Sequence, residues 1–343
     1  MRLTTGYPDA ATTEKLDRFL REGGLSYDRS CDYTVCVFDD DDGSLIATGS
    51  LSGNILKCFR VDDYRQGEGL SATLMTELRY ESARRGINHL FVYTKPQNET
   101  IFTSLGFYRI EGTRDVLLME NITGGPKRFI NSIEAFPEDK INGAVVCNCN
   151  PFTLGHRYLI ETASRECDNV YVFVVSENKS IFPADVRLDL VRKGTADLRN
   201  VRVFPGGDYM ISSATFPDYF MRDDQKERLA DIQCELDLRI FCRYFAGPLH
   251  ISRRYVGTEP GSPVTARYNE TMHRVLEAEG MKVEEIRRRE TDAGYISASK
   301  VREFLRRGEL EAAYGMLPAT TADYLRSTQG RELLRTAFPD ANY

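Results

Sequence analysis

The segment CNPFTLGHRYLIE, from Cys149 to Glu161, places Asn150, Pro151 and Phe152 in a turn, then Thr153, Gly155 and His156 at the start of a helical pattern. The first turn of a helix leaves backbone N–H groups without intrahelical partners, so it can receive an anion. Gly155 lets a phosphate approach closely, and His156 and the Thr153 hydroxyl add side-chain donors. Much later, ISASKVREFL brings Ser297 and Ser299 to a second helix start, with Arg302 one turn further on. A guanidinium fork there suits phosphate oxygens. Lys179, just after the strand pattern NVYVFVVSE, is a further candidate contact for a phosphate or an attacking carboxylate. Arg187, in PADVRLDLVRKG, resembles an arginine often found after such a second strand and reads equally as a helix-surface arginine.

These residues need a frame that puts two helix starts side by side. After Gly143, apolar strand patterns alternate with helical ones: AVVCNCNPF, LGHRYLIETASREC, NVYVFVVSE, PADVRLDLVRKGTADL and NVRVFPG. That alternation predicts a parallel sheet with right-handed crossovers and a ligand at the strands' carboxyl ends. Residues 222–245 read as mostly helical, followed by a strand, a helix, a strand and terminal helices. YVGTE, from Tyr255 to Glu259, ends the late strand LHISRRYVG and is placed to help surround a nucleoside. The preceding part reads as mixed α/β, with two strands joined by the acidic turn Asp39 to Gly43 and a helix from Gly69 to Gly86. The turn-rich stretch from Asn121 to Gly143 marks the boundary, giving domains at 1–130 and 143–343 with a linker at 131–142.

With 45 basic and 51 acidic residues, the chain has a formal net charge of -6, which argues against non-specific binding to nucleic acid or anionic membrane. No stretch is apolar enough to span a bilayer and the N-terminus lacks a signal-peptide core, so a cytoplasmic location is expected. The eight cysteines read as reduced thiols. Cys147 and Cys149 suggest the end of a buried strand more than a metal site, and no metal ligands are assigned. In the first domain, Gly67 and Gly69 in YRQGEGLSATL punctuate a turn that precedes a helix. The GxGxxA spacing there lacks the acidic context of a dinucleotide site, and no P-loop is present.

Thr153, Gly155 and His156 resemble the (His/Thr)-x-Gly-His signature of the nucleotidylyltransferase superfamily, and Ile296, Ser297, Ser299 and Arg302 resemble its Ile-Ser-x-Thr/Ser-x-x-Arg signature. Gly67, Gly69, Asn98 and Gly106-Phe107-Tyr108 resemble the acyl-CoA-binding turn and later region of GNAT acetyltransferases. The combination, with VVCNCNPFTLGHRYLIETAS, closely resembles the [citrate (pro-3S)-lyase] ligase family. The resemblance implies an α/β fold, a GNAT-like α/β domain followed by a Rossmann-like nucleotidylyltransferase domain with terminal helices. It implies that ATP, with nucleotide-bound Mg²⁺, activates acetate as acetyl-AMP and releases pyrophosphate. The acetyl group would then pass to the thiol of the CoA-like prosthetic group on the citrate lyase acyl carrier protein. Thr153 and His156 would act at the ATP phosphates and the α-phosphate, and Ser299 and Arg302 at the leaving pyrophosphate. Asn150, Pro151, Phe152, Gly155, Lys179 and Ser297 would help hold the nucleotide, and Tyr108 is a candidate general acid. Two other functions stay open at this point, adenylylation of a phosphorylated cofactor and nucleotide sensing by a non-catalytic GNAT-type regulator.

Overall fold

The computed structural model describes residues 1–211, 226–258, 263–291 and 294–341. It divides into two compact units, Met1–Arg128 with Ser213–Arg239, and Phe129–Ser212 with Ile240–Tyr343. The chain passes between the units three times, after Arg128, Ser212 and Arg239, and residues 131–142 fall in the second unit.

In the first unit, β1 (Arg2–Gly6) and α1 (Ala10–Glu22) precede β2 (Tyr33–Phe38), β3 (Leu45–Ser52) and β4 (Ile55–Val61). Then come α2 (Leu70–Arg84), β5 (Phe91–Thr94), α3 (Glu99–Ser104), β6 (Tyr108–Gly112), β7 (Leu117–Glu120) and the first turn of α4 (Gly125–Asn131), which the unit boundary divides after Arg128. The seven strands lie in the order β1-β2-β3-β4-β5-β7-β6. Every neighbouring pair is antiparallel except β4 and β5, which are parallel. Leu70, Leu74 and Leu78 of α2 recur at helical spacing and pack on Val35, Leu56 and Val92 of the sheet. Neither β1 nor α1 was expected: the residues of β1 are mostly exposed and polar, so they carry little apolar alternation.

The second unit begins its sheet with β8 (Asn142–Cys147), α5 (Leu154–Glu166), β9 (Asn169–Val174), α6 (Ala184–Gly194) and β10 (Val201–Pro205). Helix α7 (Lys226–Ile240) belongs to the first unit as far as Arg239, and the second unit continues through β11 (Ile251–Gly257), α8 (Pro263–Ala278), β12 (Lys282–Ile286), and the short β13 (Glu290–Thr291) and β14 (Gly294–Tyr295). Residues Phe241–Ala246 extend α7 as a π-helical turn. Last come α9 (Ala298–Arg306), α10 (Leu310–Tyr314), α11 (Ala319–Arg326) and α12 (Thr328–Ala337). The five-stranded sheet runs β10-β9-β8-β11-β12, with all four pairings parallel. Its strand order reverses between β8 and β11, and the crevice at such a switch point is where open α/β sheets bind ligands. Strands buried on both faces explain the unbroken apolar run Val170–Val174. Among the described residues no helix is long and apolar enough to cross a membrane.

Candidate active site

The turn from β8 into α5 is held by a reciprocal cap. Thr153 is the N-cap, its hydroxyl accepting from the His156 backbone N–H at 3.4 Å, while His156 Nδ1 accepts from the Thr153 N–H at 3.1 Å. A ring nitrogen that accepts a backbone N–H carries no proton, so the proton sits on Nε2. Burial, together with the positive charges of Arg288 and Arg302, depresses the pKa of His156 from 6.5 to about 4. His156 is therefore a neutral Nε2–H donor at physiological pH.

A consequence is a low acid limb. The unfolded chain takes up this proton near pH 6.5 and the folded chain only near 4, so the group's contribution to stability declines as pH falls through that window. The imidazole should titrate near pH 4 by NMR, and a rate that depends on neutral His156 should hold down to about pH 5 before falling. Titration near 6.5 would contradict the geometry.

The second helix start meets the first. Ser297 caps α9 by accepting from the Lys300 N–H at 3.2 Å. A Cβ on Gly155 would stand 3.2 Å from the Ile296 carbonyl oxygen, so glycine allows α5 and the turn into α9 to touch. Arg302 closes the junction, donating to the Asn150 carbonyl at 2.6 Å and to Ser299 Oγ at 3.1 Å.

A cavity of about 420 Å³ opens beside these two starts, walled also by the carboxyl ends of β8, β11 and β12 and by α8. Thr153, Gly155, His156, Ser297 and Ser299 line it. Asn150, Pro151, Phe152, Lys179 and Arg302 do not. Asn150 accepts from the Phe182 N–H at 3.0 Å, Phe152 is fully buried in the core, and Lys179 is exposed in the loop after β9. Of the expected nucleoside-facing segment, Val256 and Gly257 reach the cavity, Tyr255 turns its hydroxyl to Glu166, and Glu259 lies outside the described residues.

Arg187 is not a helix-surface residue. It is fully buried and donates to the carbonyls of Asn148, Val175, Glu177 and Phe182 and to the Asn148 side chain, at 2.6–2.9 Å. It thus ties the segments that leave β8 and β9, and Asn148 in turn lines the cavity. Three arginines that sequence reasoning passed over, Arg254, Arg287 and Arg288, also line the wall, with no Asp or Glu among the described lining residues. The signal was the run Arg287–Arg289 directly after a strand whose carboxyl end faces the crevice.

Residues 142–325 match the family model described as citrate lyase ligase C-terminal domain. A "[Citrate [pro-3S]-lyase] ligase" of Escherichia coli (strain K12) is 41% identical over 321 residues, covering 91% of this chain and 90% of the relative. The protein of the same name from Klebsiella pneumoniae is 38% identical over 324 residues, covering 92% and 93%. The chain belongs to the citrate lyase ligase family. It is accordingly an enzyme of the ligase class. Among solved structures, an acyl-CoA N-acyltransferase from Pseudomonas aeruginosa aligns with 36% of this chain and 100% of its own, at 13% identity and a TM-score of 0.31.

This citrate lyase ligase family member has a second cavity, of about 580 Å³, within its first unit. Strands β4 and β5 pair only at Ile55–Phe91 and Leu56–Val92, and residues further along both strands line the opening between them. Gly67 and Gly69 line it with φ of 89° and 78°, and Gly69 is the N-cap of α2, so backbone N–H groups at that helix start border the cavity. Asn98 lines it too and donates to Thr94 Oγ1 at 2.9 Å. Phe107 is fully buried, whereas Tyr108 is 45% exposed on β6 and is not part of the wall.

Proposed function

We propose that the second unit is a Rossmann-like nucleotidylyltransferase-type domain that adenylylates acetate with ATP, and that the protein then acetylates a thiol carried by citrate lyase. The observation that carries this reading is the convergence of two capped helix starts and the neutral His156 donor on one cavity lined by arginines. Helix N-termini and guanidinium groups suit a polyphosphate, and the volume is within the range of small-molecule sites.

In the first step a carboxylate oxygen of acetate bonds to the α-phosphorus and the bond to pyrophosphate breaks. The Nε2–H of His156 and the Gly155 N–H in the first turn of α5 take the charge that develops on the α-phosphate oxygens, and Ser297 and Ser299 at α9 serve the departing phosphates. Mg²⁺ carried by the nucleotide would supply further neutralisation of phosphate charge. In the second step the thiol sulfur attacks the acetyl carbonyl, AMP leaves, and the thiol proton passes to solvent or to AMP. The first unit, on this reading a GNAT-like domain, holds the CoA-like arm of the acyl carrier protein, its pyrophosphate at Gly67, Gly69 and the start of α2. The reaction is placed in the cytoplasm, where citrate lyase would be the partner.

Acetate-dependent exchange of labelled pyrophosphate into ATP tests the first step directly. Exchange should require acetate, and adding deacetylated citrate lyase should convert it into net AMP formation. No exchange and no AMP in the presence of all substrates would remove this reading.

A further inference from the structure

We propose that Arg60 is the side chain by which the cavity of the first unit selects an amide-bearing arm, its guanidinium donating a hydrogen bond to an uncharged carbonyl of that arm. This inference rests on the first unit holding the CoA-like arm.

Arg60 lies on β4, beyond the last position at which that strand pairs with β5, and lines the cavity. Its side chain is only 11% exposed, and its guanidinium carbon stands 4.3 Å from the Phe19 ring centroid. Nη1 is sealed from solvent, and no N–H of the guanidinium has a hydrogen-bond partner among the described residues. Burying a guanidinium with its donors unmade costs stability, so the arrangement calls for an acceptor that the folded chain does not itself supply. Gly23 makes the room. Its φ of -84° suits any residue, yet a Cβ there would stand 2.5 Å from Arg60 Nε. The glycine at the C-cap of α1 is thus needed for space and not for a backbone angle.

The surroundings set the chemistry of the acceptor. Carboxylate oxygens of Glu22 and Asp63 lie 3.7 and 3.9 Å from the guanidinium, too far to accept its hydrogen bonds but near enough to offset its charge. An anion would meet those two charges, whereas a neutral carbonyl would take the N–H groups without repulsion. Phe59 and Val61 line the cavity from the face of the sheet that carries α2, and Arg60 lines it from the face that carries α1, so the opening reaches through the gap between β4 and β5. Leu25, Ile101 and Phe102 add apolar wall. Such a slot suits an extended chain of methylenes broken by amides, with its phosphate end at Gly67 and Gly69 and an amide carbonyl on Arg60.

The test measures coenzyme A binding to the full chain by calorimetry, with a non-hydrolysable ATP analogue kept saturating so that the second unit is filled. Arg60→Met keeps much of the stem and removes every donor. It should weaken binding about 10- to 100-fold, the loss of a hydrogen bond from a charged donor. Arg60→Lys returns a charged donor and should recover part of that loss. Coenzyme A carrying ¹³C in its amide carbonyls gives a readout that a merely structural arginine would not move. In the infrared difference spectrum, one labelled carbonyl should absorb at lower frequency when bound to wild type than when bound to Arg60→Met. Gly23→Ala keeps the charge but displaces it, so it should lose affinity several-fold and shift the same band upward. Unchanged affinity in folded Arg60→Met overturns the inference, and so does a loss of affinity with the labelled bands unmoved. If Arg60→Met does not fold, Gly23→Ala decides by the same two readings. Wild-type protein that binds no coenzyme A would instead remove the reading of the first unit as an arm-binding domain.

Discussion

Replacing His156 by alanine should lower the rate of acetate-dependent pyrophosphate exchange by about 100- to 1,000-fold, the usual effect of removing one donor aimed at a developing oxyanion. The side chain has two separable tasks. Nδ1 accepts the Thr153 N–H in the helix cap, and Nε2–H faces the reacting phosphate in the proposed mechanism. Alanine removes both, and losing the cap should cost about 1 kcal/mol of stability. Asparagine separates the tasks, since its Oδ1 can still accept the Thr153 N–H whereas its amide is too short to replace Nε2. His156→Asn should therefore melt close to wild type and remain nearly as slow as alanine. A wild-type rate in a folded His156→Ala protein would exclude the imidazole from the chemistry.

The second large effect is on the fold. Arg187→Met fills much of the same volume but removes every donor to the four carbonyls that Arg187 serves. Each buried acceptor left without a partner costs about 1–3 kcal/mol, partly recovered by local relaxation, so a net loss of roughly 3–5 kcal/mol is expected. For a unit of this size that corresponds to a fall in melting temperature on the order of 10 °C, read by calorimetry. The segments after β8 and β9 should loosen together, taking Asn148 out of the cavity wall, so exchange should fall even below the melting transition. A variant as stable as wild type would show that these carbonyls find other partners.

Local chemistry was legible where one short stretch carries both the structure and the signal. Thr153 to His156 predicted a helix start because the cap, the glycine and the donor lie within a single turn, and Ser297 to Arg302 predicted the other. The alternation of β8, α5, β9, α6 and β10 likewise announced a parallel sheet, since each apolar run is short and each helix amphipathic. Arg187 was less legible because a charged residue in an amphipathic helix reads by default as solvated, and only the fold brings carbonyls from two loops to it. Arg288 was illegible for the same reason, its place on the cavity wall depending on the ends of β11 and β12 and the start of α9 meeting in space. Lys179 shows the converse, a basic residue close in sequence to the predicted site that the loop after β9 leaves exposed. The first strand and helix escaped notice because β1 is an exposed sheet edge, and α1 is announced chiefly by Asp9, whose side chain accepts the Thr12 N–H.

The bond from Arg302 to the Asn150 carbonyl joins positions 152 residues apart. During synthesis, the β8–α5 turn emerges from the ribosome long before α9 exists. A nascent chain can cap its helix at Thr153 as soon as α5 is out, yet it has only one side of the anion seat until the sequence through Arg302 has followed. Chains that end before α9 would carry the most recognisable motif of the protein without a working pocket, so incomplete products of translation would not consume ATP.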